Sequence, residues 1–261
     1  MAAGDVRGRP MVEQVAALVR QAGAVVMEVY GTDFAVRGKL DASPVTEADE
    51  RAEAVILRGL AAIDPAIPVV AEEAAAAGKI PQVGDRFWLV DPLDGTKEFI
   101  NRNGEFTVNI ALIESGVPAL GVVFAPALDA LYAGVVGEGA WVERGGGRQP
   151  IACRREPAAG LTVVGSRSHG DGDAMAAFLA GRKVAEQRSA GSSLKLCLVA
   201  EGCADVYPRL GRTMEWDIAA GHAVVAAAGG RVDTLAGQPL GYGKPGFENP
   251  HFVAWGLAEA I

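Results

Sequence analysis

The run Phe87-Trp88-Leu89-Val90-Asp91-Pro92-Leu93-Asp94-Gly95-Thr96 sets two carboxylates within one turn of each other. The four apolar residues ahead of Asp91 read as a short buried strand. Pro92 blocks regular strand pairing, Gly95 frees the backbone, and Thr96 can cap the element that follows. Two carboxylates and a free carbonyl at the end of a rigid strand suit hard, oxygen-seeking cations such as Mg2+. Backbone N–H groups pointing out of the same turn can hold a phosphate beside those cations. Taken alone, Asp-Gly after a strand also reads as an ordinary turn.

Other acids have the chemistry to join this pair. Glu72 and Glu73 end another apolar strand and could lie beside Asp91, or serve only as the first turn of a short helix over 74–77. Asp217 follows Trp216 at the start of an Ala-rich helix. It reads either as an N-cap or as a carboxylate aimed inward. Were Asp217 to join Asp91 and Asp94, three acids would repel one another and resist ionisation, so a cation would be required to hold them. Asp49 stands three residues after Thr46, the spacing of a capping box. Anion-binding candidates are Ser166-Arg167-Ser168-His169 after a strand, Ser192-Ser193 with Lys195 at a helix start, and Arg209 after a strand. Each also has a plain reading as a cap or a surface charge, and Lys97-Glu98 reads by default as a solvated pair.

These residues need a scaffold, and periodicity predicts one. Val12, Val15, Val19, Ala22, Val26 and Val29 recur at helical spacing to about Gly31, and a second helix runs from the Thr46 cap to about Ile63. Strands are predicted over 67–71, 87–90, 106–113, 119–124, 130–136 and 140–143, an antiparallel meander punctuated by Gly116-Val117-Pro118 and Gly137-Glu138-Gly139. A Gly/Arg-rich stretch over 144–155 is the expected boundary between an N-terminal half, 1–150, and a C-terminal half, 151–261. The second half alternates strands (161–164, 205–207, 252–255) with helices (173–179, 193–200, 216–228). The expected fold class is α+β, two sheets with helices in an α-β-α-β-α layering.

Composition narrows the function classes. Half of the 261 residues are hydrophobic, enough for a sizeable core. A net charge of -8 argues against a nucleic-acid polymer as partner, although bound divalent cations would still let an acidic protein take a small anion. Cys153, Cys197 and Cys203 are odd in number and contain no Cys-x-x-Cys pair, which argues against a disulfide framework or zinc site and fits a reducing compartment. With no apolar targeting segment over 1–10 and no transmembrane run, the expected location is cytoplasmic.

In combination the segments resemble the lithium-sensitive, magnesium-dependent phosphatases of the inositol monophosphatase superfamily, over about 45–252. The signatures are Ala71-Glu72-Glu73, the run from Trp88 to Thr96, and Glu215-Trp216-Asp217-Ile218-Ala219-Ala220-Gly221. Ala71 stands where Gly is common. Within the superfamily the chain is most similar to the CysQ-type 3′(2′),5′-bisphosphate nucleotidases of sulfur assimilation. Lys97-Glu98-Phe99, Ser166-Arg167-Ser168-His169, Gly191-Ser192-Ser193-Leu194-Lys195, Tyr207-Pro208-Arg209 and Asn249-Pro250-His251-Phe252 carry that similarity.

The resemblance implies the sugar-phosphatase fold and a role for each residue. Glu72, Asp91, Asp94, Asp217 and the Leu93 carbonyl would hold two or three Mg2+ ions. Thr96 with Asp49 would orient and activate a water, helped by Glu72. The N–H groups of Gly95 and Thr96 would contact the scissile phosphate. Ser192, Lys195, Arg209 and His169 would receive the nucleoside and its second phosphate. The implied reaction removes the 3′-phosphate of adenosine 3′,5′-bisphosphate, with the related 5′-phosphosulfate as a second substrate. An inositol or sugar phosphatase with the same metal chemistry is the alternative. A catalytically silent binding protein would share the fold, but would be expected to lack one of the acids, and all are present.

Overall fold

The computed structural model of the chain describes residues 8–38, 44–166 and 172–257. In chain order it forms α1 (Gly8–Tyr30), β1 (Val36–Gly38), β2 (Pro44–Thr46), α2 (Glu47–Ile63), β3 (Val69–Ala71), α3 (Glu72–Ala76), β4 (Arg86–Asp94) and α4 (Thr96–Ile100). The meander β5 (Thr107–Glu114), β6 (Val117–Ala125), β7 (Ala130–Val135), β8 (Gly139–Arg144) and β9 (Gly147–Ile151) follows. The chain closes with β10 (Leu161–Ser166), α5 (Gly172–Leu179), β11 (Val184–Ala190), α6 (Leu194–Ala200), β12 (Val206–Arg209), α7 (Glu215–Ala227), β13 (Arg231–Thr234) and β14 (Phe252–Trp255).

Strands β3 to β9 make a seven-stranded sheet in sequence order, antiparallel except for the parallel β3–β4 pair. The second sheet has five strands in the order β11-β10-β12-β14-β13. The first sheet is buried on both faces, which is why β4 to β7 read as near-continuous apolar runs. One face, with Trp88, Val90, Ile110 and Val122, packs on Val15, Val19 and Val26 of α1 and Ile56 of α2. The other, with Phe87, Leu89, Ala111 and Val123, packs on α6 and α7. The second sheet covers those helices from the far side, and Met175 and Phe178 of α5 cover its outer face. This is the expected α-β-α-β-α layering.

Helix α7 explains why the middle layer is thin. It is apolar around nearly its whole circumference, with ten buried residues from Glu215 to Val225, as a helix between two sheets must be. It reaches the first sheet across two glycines. A Cβ on Gly121 would lie 2.4 Å from the Ala220 carbonyl oxygen, and one on Gly134 would lie 2.8 Å from Ala227.

Several boundaries differ from the sequence reading. Strand β4 does not end on Asp91 but runs on to Asp94, which pairs with Thr107. Pro92 acts as expected in breaking the register between Asp91 and Asp94, and the Leu93 N–H donates to Asp91 Oδ1 (2.9 Å) in place of a ladder bond. The residue before α4 is Gly95, in the left-handed region at φ 89, so Thr96 is the first helical residue and not a cap. Asp217 is likewise the third residue of α7, not its N-cap, and its Oδ2 accepts from the Met214 N–H at 2.8 Å. The stretch 144–155 holds the β8–β9 hairpin, which turns through Gly145 and Gly146 at positive φ. The edge strands β1, β11 and β13 carry no apolar alternation, and pairing alone defines them.

Gly121→Ala should destabilise the protein by about 1–3 kcal/mol through overpacking against α7. Gly147→Ala, whose nearest neighbour would be 3.6 Å away, should be nearly neutral. Urea midpoints of the two variants check this, and equal midpoints would show that the close approach of α7 is not constraining.

Candidate active site

The site lies where β4 of the first sheet ends and α3, α4, α6 and α7 begin. Glu72 opens α3, Asp91 stands on β4, and Asp217 sits in the first turn of α7. Carboxylate oxygens of these three lie within 4.8 Å of one another. Asp94 and the Leu93 residue line the same cavity, which measures about 1010 Å3 and also reaches Ser192, Lys195 and Arg209. Among the described residues the structure therefore brings together every candidate ligand. His169 lies outside the described residues.

Electrostatics set the chemistry of the cluster. Asp91 is 1% exposed. Burial, then the charges of Glu72, Asp94 and Asp217, push its carboxyl well above the usual range. Burial, then the charges of Asp94 and Glu72, raise Asp217. Burial also raises Asp94, to about 6, although Lys195 pulls it the other way. Burial and mutual repulsion thus disfavour the charged forms, a nearby cation would favour them, and the donor set is hard oxygen throughout. That combination fits a divalent metal of the magnesium or calcium type.

Beside the cluster, Asp49 and Thr96 form a hydrogen-bonded pair. The Thr46 N–H and Oγ1–H both donate to Asp49 Oδ2, at 2.8 and 2.7 Å, completing the expected capping box of α2. Oδ1 is left facing Thr96, whose Oγ1 lies 3.3 Å from it and 3.3 Å from the Leu93 carbonyl oxygen. Gly95 is required here. A Cβ at its positive φ would meet the Glu105 carbonyl oxygen at 3.2 Å and Glu98 Oε2 at 3.3 Å.

The same cavity is also lined by cations. Lys195 is not a surface lysine. It is 5% exposed, donates to the Ser192 carbonyl at 2.6 Å, and burial pushes its ammonium down to about 8. Arg209 donates from Nη2 to the Arg212 carbonyl, while its buried Nε has no protein partner among the described residues. Ser192 sits at φ 45 with its buried Oγ likewise without a protein partner. Strained and unpaired polar groups lining one cavity mark a place where a ligand completes the bonding.

One cavity residue was read as solvated, and another was read without its partners. Glu98 is buried, not solvated, because α4 turns it under Gly95 toward Gly191. The Ser193 Oγ lies 3.2 Å from Asp94 Oδ2 and donates to the Asp217 carbonyl at 2.7 Å, tying the start of α6 to both acids. The sequence marked Ser193 only as part of a helix start that could bind an anion, because these partners are distant in the chain.

A model of the inositol monophosphatase family matches residues 9–261. The chain belongs to this family. The 3′(2′),5′-bisphosphate nucleotidase CysQ of Escherichia coli O6:H1 is 51% identical over 247 residues, covering 93% of this chain and 98% of that protein. The corresponding protein of Buchnera aphidicola is 43% identical over 254 residues, covering 95% of each chain. Among solved structures, CysQ from Bacteroides thetaiotaomicron superimposes with a TM-score of 0.82 at 36% identity, covering 98% of this chain and 100% of that one. An inositol monophosphatase from Anabaena gives 0.75 at 27% identity, covering 95% and 90%. The enzymes of this family are metal-dependent, in keeping with the acidic cluster.

Asp91→Asn tests the cluster. Its amide oxygen can still accept from Leu93, so the turn should persist while one charge is lost. Without divalent cations the variant should melt about 2–4 °C above the wild type, the shift that about 1 kcal/mol produces at this size. Mg2+ should stabilise the wild type but not the variant. Turnover should fall by more than about 100-fold, beyond the loss typical of an outer-shell partner. Thermal melts with EDTA and with Mg2+ check this, and an equal Mg2+ response in both proteins would remove Asp91 from the metal site.

Proposed function

We propose that this protein is a Mg2+-dependent 3′(2′),5′-bisphosphate nucleotidase that hydrolyses the 3′-phosphate of adenosine 3′,5′-bisphosphate to AMP and phosphate. The related 5′-phosphosulfate is a second substrate. The observation that carries the reading is the pairing, in one cavity, of an acidic cluster with a buried lysine and a half-buried arginine. The acids suit metal-assisted hydrolysis at one phosphate, and the cations suit a second. Half identity to bisphosphate nucleotidases along nearly the whole chain supports the same choice.

Glu72, Asp91, Asp94, Asp217 and the Leu93 carbonyl would hold two or three Mg2+ ions. When bound, Mg2+ supplies positive charge opposite the transferring phosphoryl group and lowers the pKa of a water. Asp49 Oδ1 accepts the Thr96 hydroxyl proton, which leaves the Thr96 Oγ1 lone pairs to orient the attacking water. The amides of Gly95 and Thr96, at the start of α4, face the scissile phosphate. Ser192, Lys195, Arg209 and His169 bind the nucleoside and its 5′-phosphate. No covalent phosphoenzyme is needed. The expected location is cytoplasmic, which the free Cys153, Cys197 and Cys203 support.

Phosphate release with Mg2+ from adenosine 3′,5′-bisphosphate and from inositol 1-phosphate, measured side by side, separates the two substrate readings. The nucleotide should win in kcat/KM by about 100-fold or more, because buried charged groups left unpaired cost roughly 1.5–3 kcal/mol each. A preference for the inositol ester would keep the metal chemistry and remove the nucleotide. Lys195→Met keeps the packing and removes the charge. It should raise KM for the bisphosphate about 10-fold or more with kcat little changed, the signature of lost ground-state binding. Unchanged KM would take Lys195 out of the substrate site.

A further inference from the structure

Glu53 is a buried carboxylate on α2, 6% exposed, and does not line the cavity. Its two oxygens accept from two consecutive backbone amides of another helix. Oε2 accepts from the Glu73 N–H at 2.7 Å and Oε1 from the Ala74 N–H at 2.9 Å. These are the second and third residues of α3, which is only five residues long. A helix start leaves such amides unpaired unless a side chain caps them. The residue in the cap position is Ala71, which has no side-chain acceptor and makes no cap bond. The cap of α3 is therefore supplied by a fork from α2.

The first residue of α3 is Glu72. So short a helix has little rigidity of its own, and the fork decides which way its opening turn faces. Glu53 also stands four residues after Asp49, on the same face of α2. One helix thus holds both flanks of the site, with Asp49 against Thr96 and Glu53 against the turn that carries Glu72.

We propose that Glu53 is a positioning residue for the divalent-cation site: by capping α3 it holds the Glu72 carboxylate against Asp91 and Asp217, and so sets metal affinity without touching metal or substrate. The proposal rests on the reading of Glu72 as a metal ligand. A cap of purely structural use would instead contribute stability and leave metal affinity alone.

Calorimetric titration of Mg2+ into the substrate-free protein separates the two roles. The proteins compared are wild type, Glu53→Gln, Glu53→Ala and Glu72→Gln, with melting temperatures and the Mg2+ dependence of turnover measured on each. Glu53→Ala should weaken Mg2+ binding by about 10–100-fold, the range typical of residues that orient a metal ligand. Glu53→Gln keeps one acceptor for one amide and should fall between, which also serves if Glu53→Ala does not fold. Half-activating Mg2+ should rise in parallel, while KM for the nucleotide at saturating Mg2+ stays at the wild-type value. Variants that melt lower yet bind Mg2+ as the wild type does would overturn the proposal. Mg2+ binding left intact in Glu72→Gln would instead overturn the ligand reading beneath it.

Discussion

Mutual repulsion among carboxylates is the constraint around which this molecule is arranged. Glu72, Asp91 and Asp217 hold oxygens within 4.8 Å of one another, one buried and two half-buried. Two like charges at 4 Å repel by about 4 kcal/mol at the effective dielectric of about 20 found near protein surfaces. No local sequence preference favours such a cluster. It persists because each acid is fastened to an element whose position is set elsewhere: the junction of β3 and α3, the broken register of β4, and the first turn of α7. Those elements are held by the apolar packing of the five layers, whose cooperative stability absorbs the local cost. A divalent cation turns that cost into binding energy.

The same logic reconciles an acidic protein with an anionic substrate. The net charge is -8, yet the cavity carries a cationic set, Lys195 and Arg209, as well as its acidic one. Ser193 joins the two, with its hydroxyl between Asp94 and the Asp217 carbonyl and Lys195 two residues on. Burial makes each set act at short range, so local sign matters more than net charge. The Oγ of Ser192 and Nε of Arg209, without a partner among the described residues, are polar groups that a second phosphate or a sugar hydroxyl would satisfy.

What could be read locally was read well. The Thr46–Asp49 capping box placed the start of α2 because the signal and its partner are three residues apart. The meander from β5 to β8 was legible because tight turns punctuate apolar runs. The edge strands β1, β11 and β13 were not, since a polar strand at a sheet edge is defined by the neighbour it pairs with. The β8–β9 hairpin was not legible in the glycine-rich stretch after β8, because glycines serve a hairpin turn as readily as a linker. Glu98 looked solvated because nothing nearby in sequence shows that α4 turns it beneath Gly95.

By itself the sequence determined the layered α+β class and, through motifs that resemble a known family, that family and the candidate acids. The class follows from periodicities that local sterics and hydrophobic burial impose on any chain, and the resemblance from short motifs in a fixed order. Only the tertiary structure decided that Glu72, Asp91 and Asp217 meet, that Lys195 is buried beside them, and that Glu53 caps the helix carrying Glu72. Each of these joins residues far apart in the chain. Their distances depend on how sheets and helices pack, and no spacing along the chain encodes that.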